Sequence, residues 1–181
     1  AIDFALANPK RVQSLTLVSP QLNGKKTNIA AWAECIKLAN AGDRVSAIEL
    51  YLMDPIFDGL RRQEIVFEYV RSIAFDYSCF HWTGKVSTKF NESSPGDRLA
   101  ELKMPTLIIS GTKDVKAMRQ ISDQITKALP VVRRAEIGGA GHFPSIESAQ
   151  QFNRIFGTFL LDLKGGAEKF VLVELGHAAA A

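Results

Sequence analysis

The stretch "PTLIISGTKDVKAMRQISDQITKALPVVRRAEIGGAGHFP", residues 105 to 144, decides the fold. After Pro105 a short apolar run, centred on 107 to 109, leads into a turn at Gly111, which is the pattern of a buried strand. The next segment sets Met118, Ile121, Ile125 and Leu129 three and four apart, one face of a helix that Pro130 stops. "VVRRAEI" then reads as a second strand, and a glycine-rich turn carries it to His142. Strand, helix and strand in direct succession predict parallel pairing through a crossover connection. The fold class is therefore α/β.

Outward from this unit the pattern continues on both sides. "SIESAQQFNRIFGTFLLDL" predicts one helix, with a Ser-x-x-Ser cap at Ser145 and Glu147 in its first turn. Upstream, residues 1 to 9 have helical spacing, and Val12, Leu15, Leu17 and Val18 mark a strand that ends at Ser19-Pro20. From Asn28 to Ser78 the period is purely helical, and punctuation at Gly42-Asp43, Pro55 and Gly59 divides it into three helices. Residues 80 to 97 read as loop, and "DRLAELKM" as a short helical piece. Four parts follow: a core helix and strand at 1–20, a helical insertion at 21–103, core strands and helices at 104–164, and a linker with an appended strand at 165–181. That last strand is expected at Phe170 to Val173, where it could cover the unpaired edge of the strand at 12 to 18, alone or in a neighbouring copy. The opening reads as the interior of a helix, so Ala1 is not expected to be a natural beginning.

Composition narrows the partners. With 46% hydrophobic and 23% charged residues, the chain has the make-up of a globular domain. Its net charge of +3 comes from 22 basic and 19 acidic residues with no basic run, which argues against nucleic acid. No apolar segment reaches bilayer length and no signal-like start is present, so a cytoplasmic protein is expected. Cys35 and Cys79, in segments that read as helical, have no metal-ligand spacing and are expected to be buried free thiols.

In a parallel sheet, reactive groups collect where strands end. Asp114 follows one strand of the opening unit and His142 the next, and adjacent strands lie about 4.8 Å apart, so the two side chains can meet. A carboxylate that accepts the imidazole Nδ1–H fixes the tautomer and leaves Nε2 to take a proton from a nucleophile. Alone, the aspartate reads equally as a turn or cap residue and the histidine as a structural group. Together they point to acid–base chemistry.

"RLAELKMPTLIISGTKD" followed by "AEIGGAGHFPSIESAQQFNRIFGTFL" resembles the C-terminal part of the α/β-hydrolase superfamily, and "AIDFALANPKRVQSLTLVSP" resembles the helix and strand after its nucleophile elbow. The resemblance runs from residue 1 to about 163. It implies a partial parallel α/β-hydrolase sheet with residues 21–103 as a helical cap, Asp114 as the acid and His142 as the base of a triad. It implies no metal or organic cofactor, and a small hydrophobic ester or related carbonyl substrate in a pocket lined by Trp32, Phe80, Trp82 and Phe143, with Phe57, Phe67 and Phe75 nearby. The family's GxSxG elbow does not precede Ala1. In "FVLVELGHAAAA" the tail resembles an elbow strand with Ala178 at the nucleophile position, as in a rearranged chain; it reads equally as a fortuitous apolar strand. Alanine has no nucleophilic atom. Ser19, Ser110 and Ser145 read as strand-end turn, strand residue and helix cap. Two functions therefore stand: a hydrolase whose nucleophile is not identifiable in the chain, and a non-catalytic fragment, scaffold or binding module of the same fold. A homo-oligomer through the exposed sheet edge is a further expectation.

Overall fold

A computed structural model describes residues 1–23, 31–84, 95–165 and 174–175. Among them, four strands form one wholly parallel sheet in the order β1 (Leu15–Val18), β2 (Thr106–Gly111), β3 (Val132–Ile137) and β4 (Glu174–Leu175). Leu15 pairs with Thr106, Thr106 with Val132, and Gly111 with Ile137, so β2 and β3 end level with each other. β2 is buried along its whole length, which is why its sequence is apolar without alternation.

Helices cover both faces. Alternate side chains of a strand point to opposite faces. On one face Ile108 packs with Ile2 and Ala5 of α1 (Ile2–Ala7) and with Met118, Ile121 and Ile125 of α6 (Lys116–Ala128). On the other, Leu107 and Ile109 meet the fully buried Phe159 of α8 (Ala149–Lys164). The periodic face at 118–129 is thus the crossover helix between β2 and β3, as its spacing predicts.

The inserted region builds a second core from α2 (Trp32–Asn40), α3 (Arg44–Leu52), α4 (Asp58–Arg61) and α5 (Glu64–Asp76). Cys35, Ile48, Leu52, Phe57, Leu60 and Trp82 form its centre. Asp43 caps α3 by accepting from the Ser46 N–H at 3.0 Å. The single helix expected over 59–78 is broken at Arg62–Gln63, and a 3-10 turn at Pro55–Phe57 precedes its first piece. Cys35 lies in α2, but Cys79 follows α5 in a turn at φ +58° rather than in a helix. Both thiols are free and buried, and burial pushes both above the ordinary thiol range.

Two further expectations change. Residues 12–14 precede β1 instead of belonging to it. The helix expected from Ser145 is two helices, α7 (Pro144–Glu147) and α8, separated at Ser148 by an extended φ of −145°, so Ser145 sits inside a helical turn and is not its cap. The short strand β4 pairs with β3 through Arg134 and Glu174, at the sheet edge opposite β1. Three strand spacings, about 14 Å, separate β4 from β1. Phe170 to Val173 and Ala178 lie outside the described residues. Along the outer side of β1 runs a groove of about 400 Å³ lined by Asp3, Thr16, Val18, Pro20 and Asn23 among others.

Candidate active site

The site is assembled where β2 and β3 end. Gly111 closes β2, and the chain turns so that the Asp114 N–H donates to Gly111 O at 3.2 Å. The turn after β3, residues 138–141, is laid directly over this one. Thr112 N donates to Ile137 O at 3.0 Å, Lys113 N to Ala140 O at 2.8 Å, and Gly139 N to Thr112 Oγ1 at 2.9 Å. Gly139 takes φ +78°, a conformation that favours glycine. Gly111 is needed for a different reason: a Cβ there would stand 2.1 Å from Ala140 O and 2.2 Å from Gly141 O. Only a residue without a side chain lets the two turns approach so closely.

This stacking brings the predicted acid and base together. His142 Nδ1 lies 3.0 Å from Asp114 Oδ1 and 3.2 Å from Oδ2. The Asp114 side chain is fully buried and that of His142 is 17% exposed, so the carboxylate is shielded while the imidazole keeps access to the outside. Asp114 Oδ1 also accepts from Val115 N at 2.7 Å, and the Asp114 carbonyl accepts from Arg119 Nε at 3.1 Å, which ties the acid to the start of α6. An ionised carboxylate only accepts hydrogen bonds, so the hydrogen between the pair resides on Nδ1. Nε2 is then the basic atom. Among the described residues no hydroxyl or thiol hydrogen-bonds His142. The Ser110 hydroxyl is buried in β2, the Ser19 hydroxyl is buried after β1 at φ +41°, and neither has a hydrogen-bond partner among the described residues.

On its other side the histidine loop is held by a residue whose role was not readable from the sequence. Glu147, at the end of α7, accepts from Gly141 N at 2.6 Å through Oε2 and from Phe143 N at 3.0 Å through Oε1. Its two oxygens thus take the backbone N–H groups on either side of His142. The only sequence signal was an acidic residue in a first helical turn, which by itself indicates a favourable helix-dipole position and nothing more.

The aromatic residues expected to line a pocket divide into two groups. Trp32, Trp82, Tyr51 and Phe57 make a continuous edge-to-face set with centroids 5.0 to 6.1 Å apart. Phe57 stacks on Phe143 at 5.2 Å, and Phe143 meets the His142 ring edge-on at 5.1 Å, so the set reaches the candidate base. Trp82 is buried, and among the described residues its Nε1 has no hydrogen-bond partner. Phe67 and Phe75 pack against the same helical core. Phe80 does not join it; half of its surface is exposed and its ring contacts His81. His81 itself stacks on Tyr77 and shares a hydrogen bond of 2.9 Å with its hydroxyl, away from His142.

No described cluster of His, Cys, Asp or Glu could hold a metal ion, and no described helix is long and apolar enough to cross a membrane. No protein-family profile matches the chain. It is 28% identical over 178 residues to a 2-hydroxy-6-oxononadienedioate/2-hydroxy-6-oxononatrienedioate hydrolase of Cupriavidus pinatubonensis, covering 88% of this chain and 57% of that one. A second such hydrolase, from Pseudomonas putida, is 29% identical over 175 residues, covering 88% and 58%. The chain therefore spans less than two thirds of these relatives. Among solved structures it is similar to MenH from S. aureus, with a TM-score of 0.67 at 19% identity over 91% of this chain and 66% of that one. It is also similar to the enol-lactonase from Burkholderia xenovorans LB400, with a TM-score of 0.65 at 19% identity, covering 88% and 60%. Topology, the placement of Asp114 and His142 after neighbouring strands, and these likenesses agree: the chain has the α/β-hydrolase fold.

Proposed function

We propose that this chain carries the acid and base of a hydrolase acting on a hydrophobic ester or related carbonyl substrate, with cleavage of a carbon–carbon bond beside a carbonyl as the nearest variant. The observation that carries this reading is the Asp114–His142 pair: a buried carboxylate bonded to Nδ1 of an imidazole whose other nitrogen is free to move a proton. His142 would take the proton from a nucleophilic hydroxyl or water and later return it to the leaving group, while Asp114 fixes the tautomer and stabilises the imidazolium. The aromatic set from Trp32 to Phe143 supports a largely apolar substrate, and the similarity to hydrolases of 6-oxo compounds supports a substrate that carries a carbonyl.

Purified protein is assayed with a fluorogenic short-chain ester and, separately, with a vinylogous 1,5-diketone that reports carbon–carbon cleavage. Turnover of either, reduced at least about 10³-fold in His142→Ala, is expected. A second reading, a binding module that retains the fold without catalysis, is favoured by the lack of a described hydroxyl or thiol bonded to His142. Saturable binding of an apolar carbonyl compound with no turnover, unchanged by His142→Ala, would establish it.

A further inference from the structure

Three elements meet at Glu147, two of them at its carboxylate. The first is the histidine loop, whose N–H groups at Gly141 and Phe143 both donate to it. The second is α4 of the cap: a Cβ on Gly59 would stand 1.9 Å from Oε2 and 2.4 Å from the carboxyl carbon, so the bare glycine backbone lies directly against this group. The third is Gln63, just beyond α4, whose Nε2 donates to the Glu147 carbonyl at 3.1 Å. A Cβ on Gly141 would likewise come within 3.0 Å of Oε1 and 3.4 Å of the Gly59 Cα, so cap backbone, loop backbone and carboxylate form one close-packed contact. Removing the carboxylate leaves two backbone donors beside His142 without their acceptor. Moving the cap moves the surface against which that carboxylate rests.

We propose that Glu147 is a positioning residue that holds His142 on Asp114 and makes this alignment depend on how the cap is seated. The inference rests on the reading of Asp114 and His142 as acid and base. Glu147 acts through the two peptide groups that flank the histidine. Gly59 is the cap's part of the device, because any side chain there displaces the carboxylate. A carboxylate that accepts from two backbone N–H groups of one loop would serve stability equally well elsewhere in the molecule. Its contact with a glycine of the cap is what links it to the site.

The test reads the His142 imidazole directly, by nitrogen-15 and low-field proton NMR of the full chain labelled at histidine, with His142→Gln for assignment. In the unaltered protein, the Nδ1–H tautomer and a low-field Nδ1–H signal are expected, both lost in Asp114→Asn. In Glu147→Ala and in Gly59→Ala, both signatures are expected to weaken at least about fivefold towards a mixture of tautomers. In Glu147→Gln, which keeps one acceptor oxygen, part of the signature should survive. Gly59→Ala keeps the Glu147 side chain and the loop sequence but pushes the carboxylate from the cap side, so it separates coupling through the cap from simple loss of a stabilising group. Full signatures in both Glu147→Ala and Gly59→Ala, with loss in Asp114→Asn, would overturn the proposal and leave the acid–base pair intact. Loss in Glu147→Ala with full retention in Gly59→Ala would overturn the dependence on the cap. Absence of the signatures from the unaltered protein would remove the acid–base reading and this proposal with it.

Discussion

Gly111→Ala tests whether the stacking of the two turns builds the site. The added Cβ would lie 2.1 and 2.2 Å from two backbone carbonyl oxygens, whereas real Cβ contacts essentially never fall below 3.0 Å. Relief therefore requires the turn at 138–141 to retreat by about 1 Å, since backbone cannot rotate away as a side-chain tip can. The Lys113 N–Ala140 O hydrogen bond, now 2.8 Å, is then stretched beyond bonding range. Overpacking costs about 1–3 kcal/mol and a broken hydrogen bond about 1 kcal/mol, for a loss of roughly 2–4 kcal/mol. In a domain of this size that lowers Tm by on the order of 10 °C. The same retreat carries His142 away from Asp114, whose present separation is 3.0 Å, so the Nδ1–H signature should fail together with stability. Gly138→Ala is the control, because nothing lies within 4 Å of a Cβ there and the backbone φ is ordinary. Calorimetry and the histidine spectrum are recorded for both variants. An unchanged Tm for Gly111→Ala, or equal losses at Gly111 and Gly138, would refute the idea that close approach of the turns positions the pair.

Gly157 lies within α8 with open space around its Cα, so Gly157→Ala should stabilise the protein by about 0.5–1 kcal/mol; a lowered Tm would contradict this. Burial raises both Cys35 and Cys79 above the ordinary thiol range, so at neutral pH a disulfide reagent should label them slowly in the folded protein and quickly in denaturant. Because the folded state holds these protons more tightly than the unfolded one, their contribution to stability is full below the ordinary thiol range and falls as pH rises through the raised folded values. Rapid labelling of the native protein would contradict the packing of the cap. We also propose self-association through the outer edge of β1, which has no neighbouring strand among the described residues. Sedimentation velocity should show a species that grows with concentration, and a monomer throughout would exclude it.

The parts of the fold that rest on local periodicity were legible in the sequence. The helix at 118–129 and the two strands it joins are set by apolar spacing and by Pro105 and Pro130, and from those alone Asp114 and His142 could be placed at neighbouring strand ends. What local pattern could not carry was anything decided by a distant neighbour. The breaks at Gln63 and Ser148 interrupt sequences of good helical period, and the Gln63 side chain bonds the Glu147 carbonyl between those two points. Gly59 and Gly111 read as ordinary punctuation, yet each is required because another backbone or carboxylate occupies the place of its side chain. β4 pairs with β3, a choice of neighbour that no apolar run can state.

The clustering of aromatic rings in the cap has an optical consequence. The chain has two tryptophans, Trp32 and Trp82, and they touch each other edge-on at 5.8 Å within the inserted region. Tryptophan emission is therefore a local reporter of the cap, while far-ultraviolet ellipticity sums over the helices of cap and core alike. If the Phe57–Phe143 stack locks the two bodies together, the emission and ellipticity curves should coincide in a denaturant titration. A cap that loosens first would change colour before the molecule loses its helices.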